Sequence, residues 1–234
     1  MSDEEPPKRR WTGKPKSGAG GERQMQTRVK NKKLNESSRN WVKRHLNDPY
    51  VARARADGYR ARAAYKLIEL DEQFHFLKRG MRVIDLGAAP GGWAQVAVQR
   101  GAGHVVGVDL LEIEPLPGAF FFQLDLLDDE TPGVLMDALG GAPDLVLSDM
   151  AANTTGHART DQIRTGALAD AAADFALEHL APGGTFVTKA FQGGLDTALL
   201  TRLKQGFTTV KHAKPPASRA ESSEVYVVAM GRKG

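Results

Sequence analysis

The alternation of short apolar runs with helical stretches after Gly80 restricts the fold of this chain more than any other feature. Strands that alternate with helices are joined by right-handed crossovers, so they build a parallel sheet that helices cover on both faces. Apolar periodicity predicts strands at 82–86, 105–109, 120–125, 144–148 and 185–189, and helices near 92–99, 129–139, 165–180 and 195–205.

The end of the chain departs from this alternation. Residues 207–210 and 225–230 are strand-like, and no helical segment lies between them. We therefore predict an antiparallel pair that closes one edge of the sheet. The predicted fold class is α/β and Rossmann-like, with a mostly parallel seven-stranded sheet, an antiparallel C-terminal hairpin and helices on both faces.

Positive charge is concentrated at the N-terminal end. Residues 1–62 contain 17 Lys and Arg against 7 Asp and Glu, whereas the whole chain has a net charge of only +4. Residues 1–38 contain too few apolar side chains to offset the entropy of ordering them, so we predict a disordered basic tail there and one domain over 39–234. A polyanion would bind at this end of the molecule.

The pattern from 41 to 70 is helical and interleaves basic with aromatic side chains. Such a face suits contact with phosphates and stacking on unpaired RNA bases, although a solvated helix face has the same pattern. The side chains concerned are Arg53, Arg55, Arg60, Arg62 and Lys66, with Tyr50, Tyr59 and Tyr65.

Several classes of protein are disfavoured by what the sequence lacks. The chain has no cysteine, and its six histidines do not have the spacing of metal ligands, so we expect no metal. No apolar stretch is long enough to span a membrane, and the N-terminal residues resemble no targeting signal. We therefore expect a cytoplasmic protein, and a monomer because no apolar helical stripe is left without a partner.

A glycine-rich turn follows the first predicted strand, in the segment Asp85-Leu-Gly-Ala-Ala-Pro-Gly-Gly-Trp93. Glycine allows the backbone to approach a ligand closely. Gly87, Gly91 and Gly92 do not have the G-x-G-x-x-G spacing that binds a dinucleotide, so an ordinary dehydrogenase is disfavoured.

Acidic residues end the next two predicted strands. Asp109 can accept hydrogen bonds from a ribose diol, and Asp125 can accept one from an adenine amino group. A sulfonium cofactor is positively charged near its reactive methyl group, so an acidic rim favours S-adenosylmethionine over a phosphate-bearing cofactor. Each acid taken alone could also be a capping or loop carboxylate.

Ionisable residues also mark the later strands. Asp149 follows the fourth strand, and Lys189 ends the fifth, where a buried lysine requires a carboxylate partner. Glu224 opens the last strand, and Lys66 lies on the basic helical segment.

With these residues in view, the sequence from about residue 38 onward resembles the FtsJ family of ribose 2′-O-methyltransferases. Among bacterial members it is most similar to enzymes that methylate a uridine ribose in 23S rRNA of the large ribosomal subunit. The matching segments are Asp57-Gly-Tyr-Arg-Ala-Arg-Ala-Ala-Tyr-Lys66-Leu, Asp85-Leu-Gly-Ala-Ala-Pro-Gly-Gly-Trp93, Ser148-Asp-Met-Ala, Lys189-Ala-Phe-Gln-Gly193, Lys214-Pro-Pro-Ala-Ser-Arg and Glu224-Val-Tyr.

The resemblance implies a catalytic tetrad and a set of cofactor contacts. The implied tetrad is Lys66, Asp149, Lys189 and Glu224, and the implied cofactor contacts, with the glycine turn added, are Gly87, Gly91, Trp93, Asp109, Asp125 and Asp149. One departure is visible, because the family usually has proline where this chain has Ala152, followed by Asn153. That substitution concerns the stiffness of the loop rather than Asp149.

Our mechanistic hypothesis makes Lys189 the base that removes the proton from the ribose hydroxyl during its attack on the sulfonium methyl. Asp149 and Glu224 would orient Lys189, and Lys66 would hold the ribose or add positive potential. The alternative is that Lys189 stays protonated and only steers the hydroxyl, because adjacent carboxylates favour the charged amine. Alternatives for the whole protein are methylation of another RNA, such as transfer RNA, and a non-catalytic RNA-binding or ribosome-assembly factor.

Overall fold

The computed structural model describes residue 39, residues 42–43, and residues 46–152, 157–191 and 197–234. Backbone contacts divide the chain into two units, Met1–Asn47 and Asp48–Gly234, and the second contains the whole sheet. In the first unit the Asn47 side chain donates to the Lys43 carbonyl. The predicted basic tail, residues 1–38, lies outside the described residues.

Seven strands alternate with helices over most of the second unit. The helices are α1 Pro49–Ala56, α2 Ala63–Phe74, α3 Gly92–Gln99, α4 Thr131–Leu139, α5 Ala158–His179 and α6 Thr197–Gly206. The strands are β1 Arg82–Leu86, β2 His104–Asp109, β3 Phe120–Gln123, β4 Leu145–Ser148, β5 Thr185–Phe191, β6 Phe207–Ala213 and β7 Glu224–Arg232.

The strands form one sheet in the order β3-β2-β1-β4-β5-β7-β6. Strands β1 to β5 are parallel, and β7 is antiparallel to both of its neighbours, β5 and β6. The predicted α/β class and antiparallel C-terminal pair are therefore confirmed. The strand order reverses between β1 and β4, and ligands of such sheets bind beyond the carboxyl ends of the strands at that point.

Helices cover both faces of the sheet, as a mostly parallel sheet requires. Along β1, Ile84 and Leu86 pack into a core shared with α4, α5 and α6, whereas Val83 packs into a second core shared with α2 and α3. The alternation along a strand thus assigns successive side chains to opposite cores. None of the helices in the described part of the chain is long and apolar enough to cross a membrane.

Several predicted boundaries differ from the structure. Strand β5, predicted to end at Lys189, continues to Phe191, so Lys189 lies within the strand. Strand β3 ends at Gln123, so Asp125 lies two residues beyond it rather than at its end. Helix α5 begins at Ala158, because its first turns are polar and gave no apolar period. The segment 41–70 is not one helical stretch, since Asp57 caps α1 and Gly58 adopts a left-handed φ of 75° before α2 begins.

Candidate active site

The four residues of the implied tetrad lie together at one end of the sheet. The Lys189 Nζ atom is 2.9 Å from Asp149 Oδ1 and 2.6 Å from the Asp149 carbonyl oxygen. The Lys66 Nζ atom is 2.9 Å from Glu224 Oε1 and 3.7 Å from Asp149 Oδ2. Helix α2, strands β5 and β7, and the residue directly after β4 therefore each bring one ionisable side chain to the same place.

Asp149 is the centre of this cluster, because it is the residue that contacts both lysines. Glu224 pairs with Lys66 and not with Lys189, which corrects the hypothesis that Glu224 orients Lys189. The Ser218 hydroxyl donates to Glu224 Oε1 at 2.7 Å, so Glu224 is held from the loop that precedes β7 as well.

The electrostatic environment keeps Asp149 ionised. Burial opposes its charge, but Lys189, Lys66 and the Tyr226 hydroxyl together outweigh burial and lower the pKa of Asp149 below its usual value. Conversely, burial and the carboxylates of Asp149 and Glu224 raise the pKa of Tyr226 well above that of a free tyrosine. Tyr226 is thus a hydrogen-bond donor across the whole physiological range.

Tyr226 is a member of the cluster that sequence reasoning left without a role. It is fully buried, its hydroxyl donates to Asp149 Oδ1 at 2.6 Å, and its ring lies 5.6 Å from Lys66 Nζ. The signal was present in the sequence. Tyr226 follows Glu224 by two residues, and residues i and i+2 of a strand share one face of the sheet.

Asp85 is a second residue whose importance the sequence did not reveal. It is 1% exposed, and the backbone amide of Ala94 is near enough to act on its pKa, although neither carboxylate oxygen makes a hydrogen bond of good geometry within the described part of the chain. Burial, then the charge of Asp149 and, more weakly, that of Asp109 raise the pKa of Asp85 to about 8, although the Ala94 amide opposes them. A buried acid without a hydrogen bond of good geometry is unusual in a native protein.

The glycine-rich turn is held against two neighbouring segments. Gly87 has a φ of +77°, and a Cβ there would lie 2.3 Å from the side chain of Met150, the residue after Asp149. Gly91 has a φ of +98°, a left-handed value that favours glycine. The Ala89 amide donates to Asp109 Oδ2 at 2.9 Å, so Asp109 fastens the turn to the end of β2.

The other two residues implied in cofactor contact differ in their exposure. Asp125 is half-buried, and its Oδ1 accepts from the Leu127 amide at 2.9 Å. Trp93 is 3% exposed, its indole N–H donates to the Ala63 carbonyl, and its ring packs against Tyr226. The structure therefore places Trp93 in the core, with its polar atom already used.

Comparison with known protein families identifies the family of this chain. The family model for FtsJ-like methyltransferase matches residues 59–232, a range that includes the glycine-rich turn and all four tetrad residues. The chain belongs to the FtsJ-like methyltransferase family. The predicted family, fold and class of enzyme are thereby confirmed.

Two relatives of this methyltransferase cover almost its full length. The ribosomal RNA large subunit methyltransferase E of Brucella anthropi is 57% identical over 224 residues, which are 93% of each chain. The protein of the same name from Mesorhizobium japonicum is 58% identical over 230 residues, covering 95% of this chain and 87% of that one.

Solved structures share the fold. A crystal structure of a protein assigned as a ribosomal RNA methyltransferase, from Plasmodium falciparum, matches with a TM-score of 0.67 and 31% identity, covering 75% of this chain and 100% of that one. A protein assigned as a hemolysin, from Streptococcus thermophilus, matches with a TM-score of 0.55 and 16% identity, covering 75% of this chain and 67% of that one. The second likeness concerns the fold alone.

The basic segment of the methyltransferase is less available to RNA than its sequence predicted. Tyr65 is 2% exposed, packs against Tyr50 and Tyr59, and donates its hydroxyl to Asp57, so its ring is not available for stacking on RNA bases, one of the two interpretations that the pattern left open. Arg62 pairs with Asp48. Among the five basic residues, Arg53 and Arg55 remain exposed.

Ala152, where the family usually has proline, makes a hydrogen bond that proline could not make. Its backbone N–H donates to the Thr165 hydroxyl of α5 at 3.2 Å, and Thr165 is 2% exposed. The hydrogen bond thus restrains the loop after Asp149 where a proline ring would have stiffened it. Asn153 lies outside the described residues.

We expect Thr165→Val to lower the free energy of unfolding by about 1 kcal/mol, because the isosteric side chain leaves the Ala152 amide without its acceptor. Urea unfolding measures the change, and Thr165→Ser, which keeps the hydroxyl, serves as the control. Equal losses in both variants would assign the effect to packing of the methyl group instead.

Within the described ranges, no group of three His, Asp or Glu side chains is arranged to hold a metal ion. The acids of the tetrad are instead paired with lysines.

Proposed function

We propose that this methyltransferase transfers the methyl group of S-adenosylmethionine to the 2′-hydroxyl of a uridine ribose in 23S rRNA of the large ribosomal subunit. The observation that carries the proposal is the pairing of Lys189 with Asp149 at 2.9 Å beside the glycine-rich turn. The names of the two bacterial relatives support the large ribosomal subunit as the source of the substrate.

The residues at the carboxyl ends of β1 to β3 fit S-adenosylmethionine, which supplies an electrophilic methyl group on a sulfonium when bound. The cofactor carries positive charge, and the carboxylates of Asp109, at the end of β2, and Asp125, two residues beyond β3, lie at this end of the sheet. Asp85 is buried on β1 with its pKa raised to about 8, and a bound cation would favour its ionised form. We assign the ribose diol to Asp109 and the adenine amino group to Asp125, with the backbone of Gly87 and Gly91 lining the approach.

Lys189 is arranged to accept the proton of the ribose hydroxyl. A neutral amine has two N–H donors and one lone pair. Asp149 Oδ1 and the Asp149 carbonyl oxygen accept two bonds from Lys189 Nζ, which leaves the remaining direction of the nitrogen for the hydroxyl. The ionised carboxylate of Asp149 at this distance stabilises the ammonium that forms on Lys189 as the proton moves.

Lys66 and Glu224 complete the arrangement on the side of α2. Their 2.9 Å ion pair fixes the ammonium of Lys66 beside Asp149, where it can hold the ribose oxygens of the target nucleotide. Tyr226 donates to the same Asp149 oxygen that Lys189 contacts, so the carboxylate cannot rotate away from the base. Positioning of this kind lowers the barrier because the reacting groups are already aligned.

We further propose that the protein acts in the cytoplasm as a monomer, on RNA assembled into the large subunit. The uneven charge supports an RNA partner, since residues 1–62 carry the excess of Lys and Arg. Binding to RNA through such residues weakens as salt concentration rises.

Transfer of labelled methyl from S-adenosylmethionine to purified large subunits, free ribosomal RNA and transfer RNA tests the proposal. We expect label on a uridine ribose of 23S rRNA, and its loss in Lys189→Ala. Label on transfer RNA alone would show that the substrate is transfer RNA and not 23S rRNA. Cofactor binding without label on any RNA would favour the non-catalytic assembly factor.

A further inference from the structure

Arg60 connects the segment between α1 and α2 to two loops of the cofactor site. Its Nη1 donates to the Glu114 carbonyl at 2.6 Å and to the Pro90 carbonyl at 3.3 Å, and its Nη2 donates to the Pro115 carbonyl at 2.6 Å. Pro90 belongs to the glycine-rich turn, whereas Glu114 and Pro115 belong to the loop that follows Asp109. One side chain therefore fastens together the two loops that would enclose the cofactor.

The backbone beside Arg60 is fixed as well. Gln95 of α3 accepts from the Arg60 amide through Oε1 at 3.0 Å and donates through Nε2 to the Gly58 carbonyl at 2.8 Å. The guanidinium thus projects from an anchored stretch of chain, and little conformational entropy remains to be lost when its hydrogen bonds form.

The acceptors of Arg60 are backbone carbonyls, and no carboxylate lies within 4 Å of its guanidinium across the described ranges. The planar guanidinium of arginine has several N–H donors in fixed directions, so it can donate to three carbonyls at once. The ammonium of lysine cannot do this in the same geometry. Charged donors of this kind make hydrogen bonds about twice as strong as neutral ones.

Gly91 gives independent support for a close fit around Arg60. A Cβ at Gly91 would lie 2.8 Å from Arg60 Nη1, so the glycine leaves the space that the guanidinium occupies. The turn and the arginine are therefore packed against each other rather than merely adjacent.

We propose that Arg60 is a positioning residue for cofactor binding, which holds the glycine-rich turn and the loop after Asp109 in the geometry that admits S-adenosylmethionine. The inference rests on the proposed cofactor. It differs from the sequence prediction, in which Arg60 is one of several basic side chains that contact RNA phosphates. The two roles are separable, since a positioning role acts without any RNA.

Calorimetric titration of the full chain with S-adenosylhomocysteine, in the absence of RNA, tests the proposal. We expect Arg60→Lys and Arg60→Ala to raise the Kd on the order of tenfold, from the loss of charge-assisted hydrogen bonds. Arg55→Ala removes an exposed positive charge from the same segment, and its Kd for the cofactor product should stay within about twofold of that of the wild type. Full recovery of affinity by lysine would overturn the proposal, because charge alone would then suffice.

Hydrogen exchange without cofactor provides the second measurement, and it remains informative if one variant is unstable. We expect faster exchange in Arg60→Lys for peptides that cover 86–93 and 110–118, and unchanged exchange in strands β5 and β7. In steady-state assays the KM for the cofactor should rise more than kcat falls. Unchanged affinity and exchange would refute the role of Arg60, whereas failure of the wild type to bind would refute the proposed cofactor instead.

Discussion

Lys189→Arg is expected to lower kcat by about 10²- to 10⁴-fold, the usual contribution of a positioned general base. Arginine keeps the positive charge and the ion pair with Asp149, but it does not release a proton in a protein. The variant therefore separates a base from a residue that only steers the hydroxyl. Single-turnover methyl transfer to large subunits at saturating cofactor measures the effect, with Lys211→Arg on strand β6 as the matched control.

The pH dependence of the same reaction can contradict the assignment of Lys189 as the base. If Lys189 loses its proton before attack, the single-turnover rate rises with pH until the amine of the substrate complex is neutral. The rate of Lys189→Arg should show no such rise. A wild-type rate that is flat between pH 6 and 10, together with an active arginine variant, would assign Lys189 to steering alone.

Asp85→Asn is expected to raise the free energy of unfolding of the cofactor-free protein by several kcal/mol at pH 8.5. The folded state holds the pKa of Asp85 at about 8, against 3.8 for the unperturbed group, and each pKa unit corresponds to about 1.4 kcal/mol. Between these values the folded state binds the proton that the unfolded state has released. The stability of the wild type therefore falls as pH rises from about 4 to about 8, and asparagine removes this loss.

Urea unfolding at pH 4.5 and pH 8.5 measures the effect. The difference in the free energy of unfolding between Asp85→Asn and the wild type should be small at pH 4.5 and large at pH 8.5. Asp137→Asn changes an exposed aspartate of α4 and should produce no such divergence. A variant that is less stable than the wild type at pH 8.5 would show that the Asp85 carboxylate has a stabilising partner.

The same substitution is expected to weaken the binding of S-adenosylmethionine. An amide carries no charge to attract a cationic ligand, so the energy that Asp85 costs the folded protein is recovered only when the cofactor binds. Calorimetric titration of Asp85→Asn with the cofactor measures the change in Kd. We expect the variant to bind the cofactor more weakly, although at pH 8.5 it is more stable than the wild type. A strained or desolvated group of this kind is common at functional sites.

Much of the fold could be predicted because the relevant signals are local. Apolar runs such as 82–86 and 144–148 carry their own period, and the crossover rule converts alternating strands and helices into a parallel sheet. The location of the candidate site could also be predicted from the parallel arrangement of the strands. Because the carboxyl ends of parallel strands meet at one edge, Asp109, Asp149 and Lys189 had to lie near one another wherever the strands were placed.

Sequence patterns did not fix the partners within the site. Glu224 pairs with Lys66 because β7 enters the sheet between β5 and β6, an order that no local period encodes. The same insertion sets Tyr226 opposite Lys189 in the strand register and so brings its hydroxyl to Asp149. The burial of Tyr65 in the basic segment could not be predicted for a related reason, since it depends on the rings that pack around it.

The sequence by itself thus determined the α/β fold, the family and the identities of the ionisable residues, because these depend on residue type and spacing along the chain. Only the tertiary structure decided which acid pairs with which lysine, that Asp85 is buried with a raised pKa, and that Arg60 fastens two loops together. These properties depend on distances between segments far apart in the chain and on exclusion of water, and neither quantity exists until the sheet and its helices are packed.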